Sequence, residues 1–236
     1  MIEKNFIRFV FSLFFFQASF AQKAADSLTM NLHLKFGTEN LALGRKYVSE
    51  NKDTLQVDLF KFYISNIEIQ YSDNTVYNQT DSYHLIDIEN PNSLRIPICK
   101  NINVTIEKVI FNIGIDSLTS VSGALAGNLD PTKGMYWAWQ SGYINMKIEG
   151  QSSSCNPKAS RQKNEFQFHI GGYLKPNNAL RKIILELTKP TSEVNITVDI
   201  AKLFSKIVLS KTNSIMIPGK QAMEIADFNA EMFTIE

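Results

Sequence analysis

Apolar and polar residues alternate with a period of two through most of this 236-residue chain. A helix cannot gather such a pattern on one side, whereas a strand puts every second side chain on the same face. Met30 to Phe36 reads Met-Asn-Leu-His-Leu-Lys-Phe, with His33 and Lys35 on the polar face. Leu59 to Tyr71 places Phe60, Phe62 and Ile64 on one side, then changes phase so that Ile67, Ile69 and Tyr71 point inward. A phase change inside a strand predicts a bulge near Ser65-Asn66. Val104 and Ile106 give way in the same manner to Val109, Phe111, Ile113 and Ile115. The same period predicts strands over 82–88, 142–149, 165–172, 180–188 and 193–199.

Turn residues separate these segments, as at Ser72-Asp73-Asn74, Asn90-Pro91-Asn92 and Pro176-Asn177-Asn178. Helix is sparse: a turn over Ile200–Phe204 and a short C-terminal helix over Gln221–Met232. The expectation is an all-β fold, an antiparallel β-sandwich of about eight or more strands, because no crossover helices are present to make a parallel sheet. Nothing in the sequence divides the chain, so residues 22–236 are expected to form a single domain.

Residues 1–21 do not follow the alternation. Lys4 and Arg8 precede an apolar run from Phe9 to Phe16, and Ser19-Phe20-Ala21 places small residues where a signal peptidase reads. This predicts a secretory signal peptide cut after Ala21, since the run is about half the ~20 residues a membrane span needs. The mature chain would then carry 22 basic and 22 acidic residues. A neutral chain has no surplus of cations for phosphate backbones, which excludes electrostatic nucleic-acid binding. Export would allow a disulfide between Cys99 and Cys155, the only two cysteines. Free buried thiols and a pair of soft Cu(I) ligands are the alternatives.

Catalytic signatures are missing. The chain has no G-x-S-x-G elbow, no H-E-x-x-H and no phosphate-cradling loop. His84 and Asp87 are three apart on a predicted strand, hence on opposite faces. The protein is therefore expected not to be an enzyme. His33, His84 and His169 each sit in an alternating strand, and imidazoles from neighbouring strands would make a copper or zinc site if they met. Met135-Tyr136-Trp137-Ala138-Trp139 holds both tryptophans two apart, which predicts a core cluster or a stacking platform.

The stretch from Asp116 to Gly150, with its Leu-Asp-Pro turn and Trp-x-Trp, is followed by Phe166-Gln167-Phe168-His169-Ile170-Gly171-Gly172-Tyr173. Together with Phe60 to Ile67 and Tyr83 to Asp87, these segments closely resemble the MbnP-like copper-binding family of exported β-rich proteins, found in Bacteroidota and in methane-oxidising bacteria. The resemblance spans about Met30 to Phe233. It implies copper held by histidines and by kynurenine, an oxidised tryptophan, with a di-haem peroxidase-like partner that makes the modification. His169, Trp137 and Trp139 match the family motifs, and His33 and His84 stand on its N-terminal and central strands. The chain departs from the pattern at Asn128-Leu129-Asp130, where copper-binding members often carry Asn-His. Two functions therefore follow as expectations: an exported copper-binding protein for storage, delivery or acquisition, or a metal-free ligand-binding or structural module that keeps the fold.

Overall fold

A computed structural model describes residues 27–100, 104–156, 164–187 and 193–236. The expected signal peptide lies outside these residues. In chain order the strands begin with β1 (Ser27–Phe36), β2 (Glu39–Asn40), β3 (Lys46–Val48), β4 (Thr54–Tyr71) and β5 (Val76–Asn78). β6 (Tyr83–Asp87), β7 (Arg95–Lys100) and β8 (Ile106–Ile113) lead to helix α1 (Ser117–Val121). β9 (Tyr136–Trp137), β10 (Gly142–Ser152), β11 (Glu165–Gly171), β12 (Arg181–Glu186) and β13 (Glu193–Asp199) follow. The chain closes with α2 (Ile200–Lys206), β14 (Ser214–Ile215), α3 (Lys220–Ala230) and β15 (Phe233–Ile235).

The strands form a five-stranded and a ten-stranded sheet. β4 organises the larger one. β10 pairs its first half, from Leu55 to Phe62, and β8 its second, from Ile64 to Tyr71. β6 pairs Lys61 to Ser65 across the junction. The expected bulge is present: the β4–β8 register shifts between Ser65 and Glu68, and Asn66 has φ +52°. Asparagine tolerates that left-handed backbone better than a branched residue would.

Phe60, Phe62, Ile64, Phe111, Ile148, Phe166 and Phe168 of the larger sheet, none more than 1% exposed, face Met30, Leu32, Ile196 and Val198 of the smaller. Phe233 of β15 shows how the layers meet: its ring stands edge-on to Phe62 at 5.8 Å and to Phe111 at 5.5 Å. Burying each such side chain stabilises the fold by about 1.5–3 kcal/mol.

One expectation is corrected. The sandwich is not purely antiparallel, since β1 runs parallel to β13 and β11 parallel to β14. Parallel neighbours need a crossover, but it need not be one helix; here the body of the domain connects β1 to β13. Of the two cysteines, Cys155 is a free, buried thiol just past β10, which accords with the free-thiol alternative, and the side chain of Cys99 lies outside the described residues. Burial, with Asp53 nearby, pushes the Cys155 thiol up to about 11, which keeps it protonated and inert.

The smaller sheet is clipped at its outer face by Glu236. Its carboxylate accepts from Lys35 Nζ at 2.9 Å and Thr197 Oγ1 at 2.6 Å, and pairs with His33 Nδ1 at 2.8 Å. The Lys35 hydrogen bond, then those of Thr197 and His33, lower the Glu236 carboxyl from 4.5 to about 2. A depressed folded-state value means the clip stabilises above the unfolded value and fades as pH falls from about 5 towards 2. Because Glu236 is 30% exposed, the contribution is expected to stay under ~1 kcal/mol. Glu236→Gln should lower the denaturation midpoint at pH 7, and the difference from wild type should vanish near pH 2. A difference that persists unchanged at pH 2 would show that the carboxylate charge is not its source.

A candidate ligand groove at His169 and the tryptophans

The outer face of the ten-stranded sheet is covered in part by the segment between β8 and β10. Tyr63, on the side of β4 opposite Phe62 and Ile64, packs with Leu85, Ile115, Leu129, Met135, Trp137, Tyr143 and Ile144 in a second apolar cluster. Phenol hydroxyls pin the covering segment down. Tyr63 donates to the Asn128 carbonyl at 3.0 Å, Tyr143 to the Leu129 carbonyl at 3.0 Å, and Tyr83 to Asp116 at 2.9 Å. Burial raises the Tyr63 phenol well above its usual range, so it stays a donor.

Beyond this cover, the strand registers align a polar row. Asp87 of β6, Lys61 of β4, Lys147 of β10 and His169 of β11 are successive cross-strand partners, hence on one face. Neighbouring lysines would repel, but each has its own carboxylate: Lys61 meets Asp87 at 2.8 Å and Lys147 meets Glu149 at 3.4 Å. Glu149 also holds His169 Nε2 at 2.6 Å. The His169 hydrogen bond, helped by Lys147, keeps the Glu149 carboxyl below its usual range. His169 Nδ1 is left as the ring nitrogen without a described partner.

The aromatic run places its two tryptophans in different surroundings. Trp137 is 6% exposed and packs over Gly171, where an added Cβ would come within 2.8 Å of its ring. Its neighbour Trp139, ring centroid 5.7 Å away, is 63% exposed. Both indoles, His169, Lys147, Tyr136 and Met216 line one groove of about 720 Å³. Met216 arrives through the parallel pairing of β14 with β11, where Ile215 lies opposite Phe168.

The structure thus brings together His169, Trp137 and Trp139 but leaves the other two histidines apart. His33 belongs to the five-stranded sheet and is bound to Glu236. His84 Nε2 lies 3.1 Å from Gln79 Oε1, and its ring lines a separate cleft with Lys61, Arg95 and Lys133. Burial lowers its pKa, and cations around an imidazole oppose a metal ion there. Among the described residues, no group of three or more His, Cys, Asp or Glu side chains could hold a metal. Three alternating strands predicted three polar-face imidazoles, but their registers put them on separate surfaces. Glu149 and Met216 were not singled out in the sequence. Glu149 is one acidic residue among many, and Met216 sits in a two-residue strand too short to show a period.

The fold and groove define a class: a two-sheet β protein whose larger sheet carries an aromatic-rimmed groove on its outer face. The MbnP family model matches residues 25–217, and the chain belongs to that family. Among solved structures it is similar to MbnP from Methylosinus trichosporium, with a TM-score of 0.57 and 12% identity over 78% of this chain and 79% of that one. At that identity the likeness speaks for the fold. No curated protein sequence matches the chain. No helix among the described residues is long and apolar enough to cross a membrane.

Proposed function

We propose that this protein is an exported copper-binding protein that holds a single Cu(I) in the groove at His169. The observation that carries the reading is that one imidazole, the Met216 thioether and two indoles line the same groove. A thioether selects Cu(I) over harder cations, and imidazole suits copper in general. An indole face adds attraction for a cation lying over it. This donor set contains one histidine where three were expected, and it needs neither His33 nor His84. Glu149 orients the ring through Nε2, so that Nδ1 is the nitrogen offered to the metal. The family also implies a di-haem peroxidase-like partner that oxidises a tryptophan. Trp139 is the indole such a partner would reach, because Trp137 is buried.

The test is anaerobic Cu(I) titration of the mature chain against a chromophoric chelator, with indole fluorescence followed in parallel. One equivalent is expected to bind and quench the fluorescence, and Met216→Leu should weaken binding by roughly 10-fold, the value of about 1.4 kcal/mol. Full chelator competition with no bound copper would overturn the reading. It would favour the metal-free module, for which the exposed Trp139 beside Ile217 is the supporting feature: a platform standing between this groove and a second of about 500 Å³.

A further inference from the structure

The cleft that holds His84 belongs to neither the Cu(I) groove nor the core. Three separate parts of the fold build it. β4 and β6 of the larger sheet contribute Lys61, His84 and Asp87, β7 of the smaller sheet contributes Arg95, and the turns before β9 contribute Asn128 and Lys133. Its volume is about 360 Å³, within the range of small-ligand sites.

The charges do not balance. Asp87 is the carboxylate in the lining, and both of its oxygens are engaged: Oδ2 by Lys61 Nζ at 2.8 Å, Oδ1 by the Glu89 N–H at 3.0 Å. That pair cancels internally. Arg95 and Lys133 then remain, with no hydrogen bond or ion pair to any described side chain. The nearest acid to Lys133 in sequence is Asp130, whose Oδ1 accepts both the N–H and the hydroxyl of Thr132 at 2.8 Å and whose carboxyl Lys133 helps to keep below its usual range, with no direct ion pair between them. The Ser93 hydroxyl is likewise spent on the Asp87 backbone and the Asn90 carbonyl. What faces the cleft is the Arg95 guanidinium without a described side-chain partner, the Lys133 ammonium held only by electrostatic attraction to Asp130, and the side-chain amides of Asn90 and Asn92.

We infer that this cleft binds a small oxyanion, a carboxylate or phosphate group carried by a ligand of modest size. The cleft shares no lining residue with the groove at His169. Guanidinium presents paired N–H donors that match two oxygens of either group, and a second cation with flanking amides supplies the remaining bonds.

The test is a ¹H–¹⁵N NMR titration of the mature chain with inorganic phosphate and, separately, with succinate, at low salt. Saturable shifts confined to the amides around Ser93–Ile96 and Asn128–Lys133 are expected, and comparison of the two arms identifies which oxyanion is preferred. The double variant Arg95→Gln/Lys133→Gln should bind at least roughly 10-fold more weakly, since two charge-assisted hydrogen bonds are lost. Both side chains are exposed, so its thermal midpoint should match wild type, which separates lost binding from lost folding. A second double variant remote from the cleft, Lys46→Gln/Lys211→Gln, should bind as wild type does. Shifts that fail to saturate, shifts spread over lysines generally, or equal weakening in the two double variants would each overturn the inference.

Discussion

His169→Ala is expected to weaken Cu(I) binding by at least roughly 100-fold, beyond the ~10- to 100-fold that loss of an orienting neighbour costs. The ring is held from two directions. β11 fixes its backbone against β10 through the Lys147–His169 pair, and Glu149 fixes the imidazole through Nε2 at 2.6 Å. An imidazole so constrained would have little freedom left to lose on binding a metal. Glu149→Gln keeps the size of the side chain and removes its charge, so it should fall in the ~10- to 100-fold range itself. Its effect should also carry a pH signature. Because His169 holds the Glu149 carboxyl below its usual range, wild type should keep the oriented ring at mildly acidic pH. Chelator competition on the two variants, at neutral and mildly acidic pH, measures this directly. Unchanged affinity in His169→Ala would remove His169 from the site. A neutral Glu149→Gln would confine Glu149 to a structural role.

The largest expected effect on stability belongs to Gly150→Ala. No left-handed backbone is required there; the constraint is room. An added Cβ would lie 2.0 Å from the Gln56 carbonyl oxygen and 2.5 Å from Phe166 Cζ. The first contact is to backbone, which cannot swing aside as a side chain end can. The β4–β10 register already shifts between Glu149 and Gly150, so the methyl would part these two strands at the centre of the larger sheet. A cost of about 3–5 kcal/mol is expected, lowering the thermal midpoint by roughly 10 °C or more. Gly37→Ala is the comparison. Gly37 has φ +63° and open space around it, so it should cost only about 1–2 kcal/mol of backbone strain. A Gly150→Ala midpoint above that of Gly37→Ala would show that the strands part more easily than these distances allow.

The sequence revealed what repeats over several residues. All eight strands expected from alternation are present, from β1 to β13, and so is the bulge at Asn66. A bulge was readable because it inverts the polarity of everything after it, leaving Ile67, Ile69 and Tyr71 buried as a set. Strands of two or three residues, such as β2, β9 and β14, contain too few positions to display a period. β7 has the length, but it contains Pro97, and a proline within a run weakens the strand signal.

The site divides in the same manner. His169, Trp137 and Trp139 stood out because they fall in ordered motifs, and the groove joins them. His33 and His84 looked equivalent to His169 on alternation alone. What separates them is pairing: β1 joins one sheet, β6 and β11 lie on different neighbours in the other. Register between distant strands is set by the packed core, and local sequence does not contain it.

The parallel pairing of β1 with β13 also governs when the molecule can be complete. Asn31 bonds Asn195 across a separation of 164 residues, and β15 adds residues 233–235 to the same sheet. Every strand of the larger sheet lies between residues 46 and 215. The smaller sheet joins residues 27–40 and 95–100 to residues 193–199 and 233–235. Contacts of such long range slow folding, because chain must be ordered before they form. Until residue 199 exists, the first strand has an open edge, and an apolar strand with an open edge invites pairing with another molecule. During synthesis β1 therefore stays open to such pairing until β13, more than 150 residues later, covers its edge.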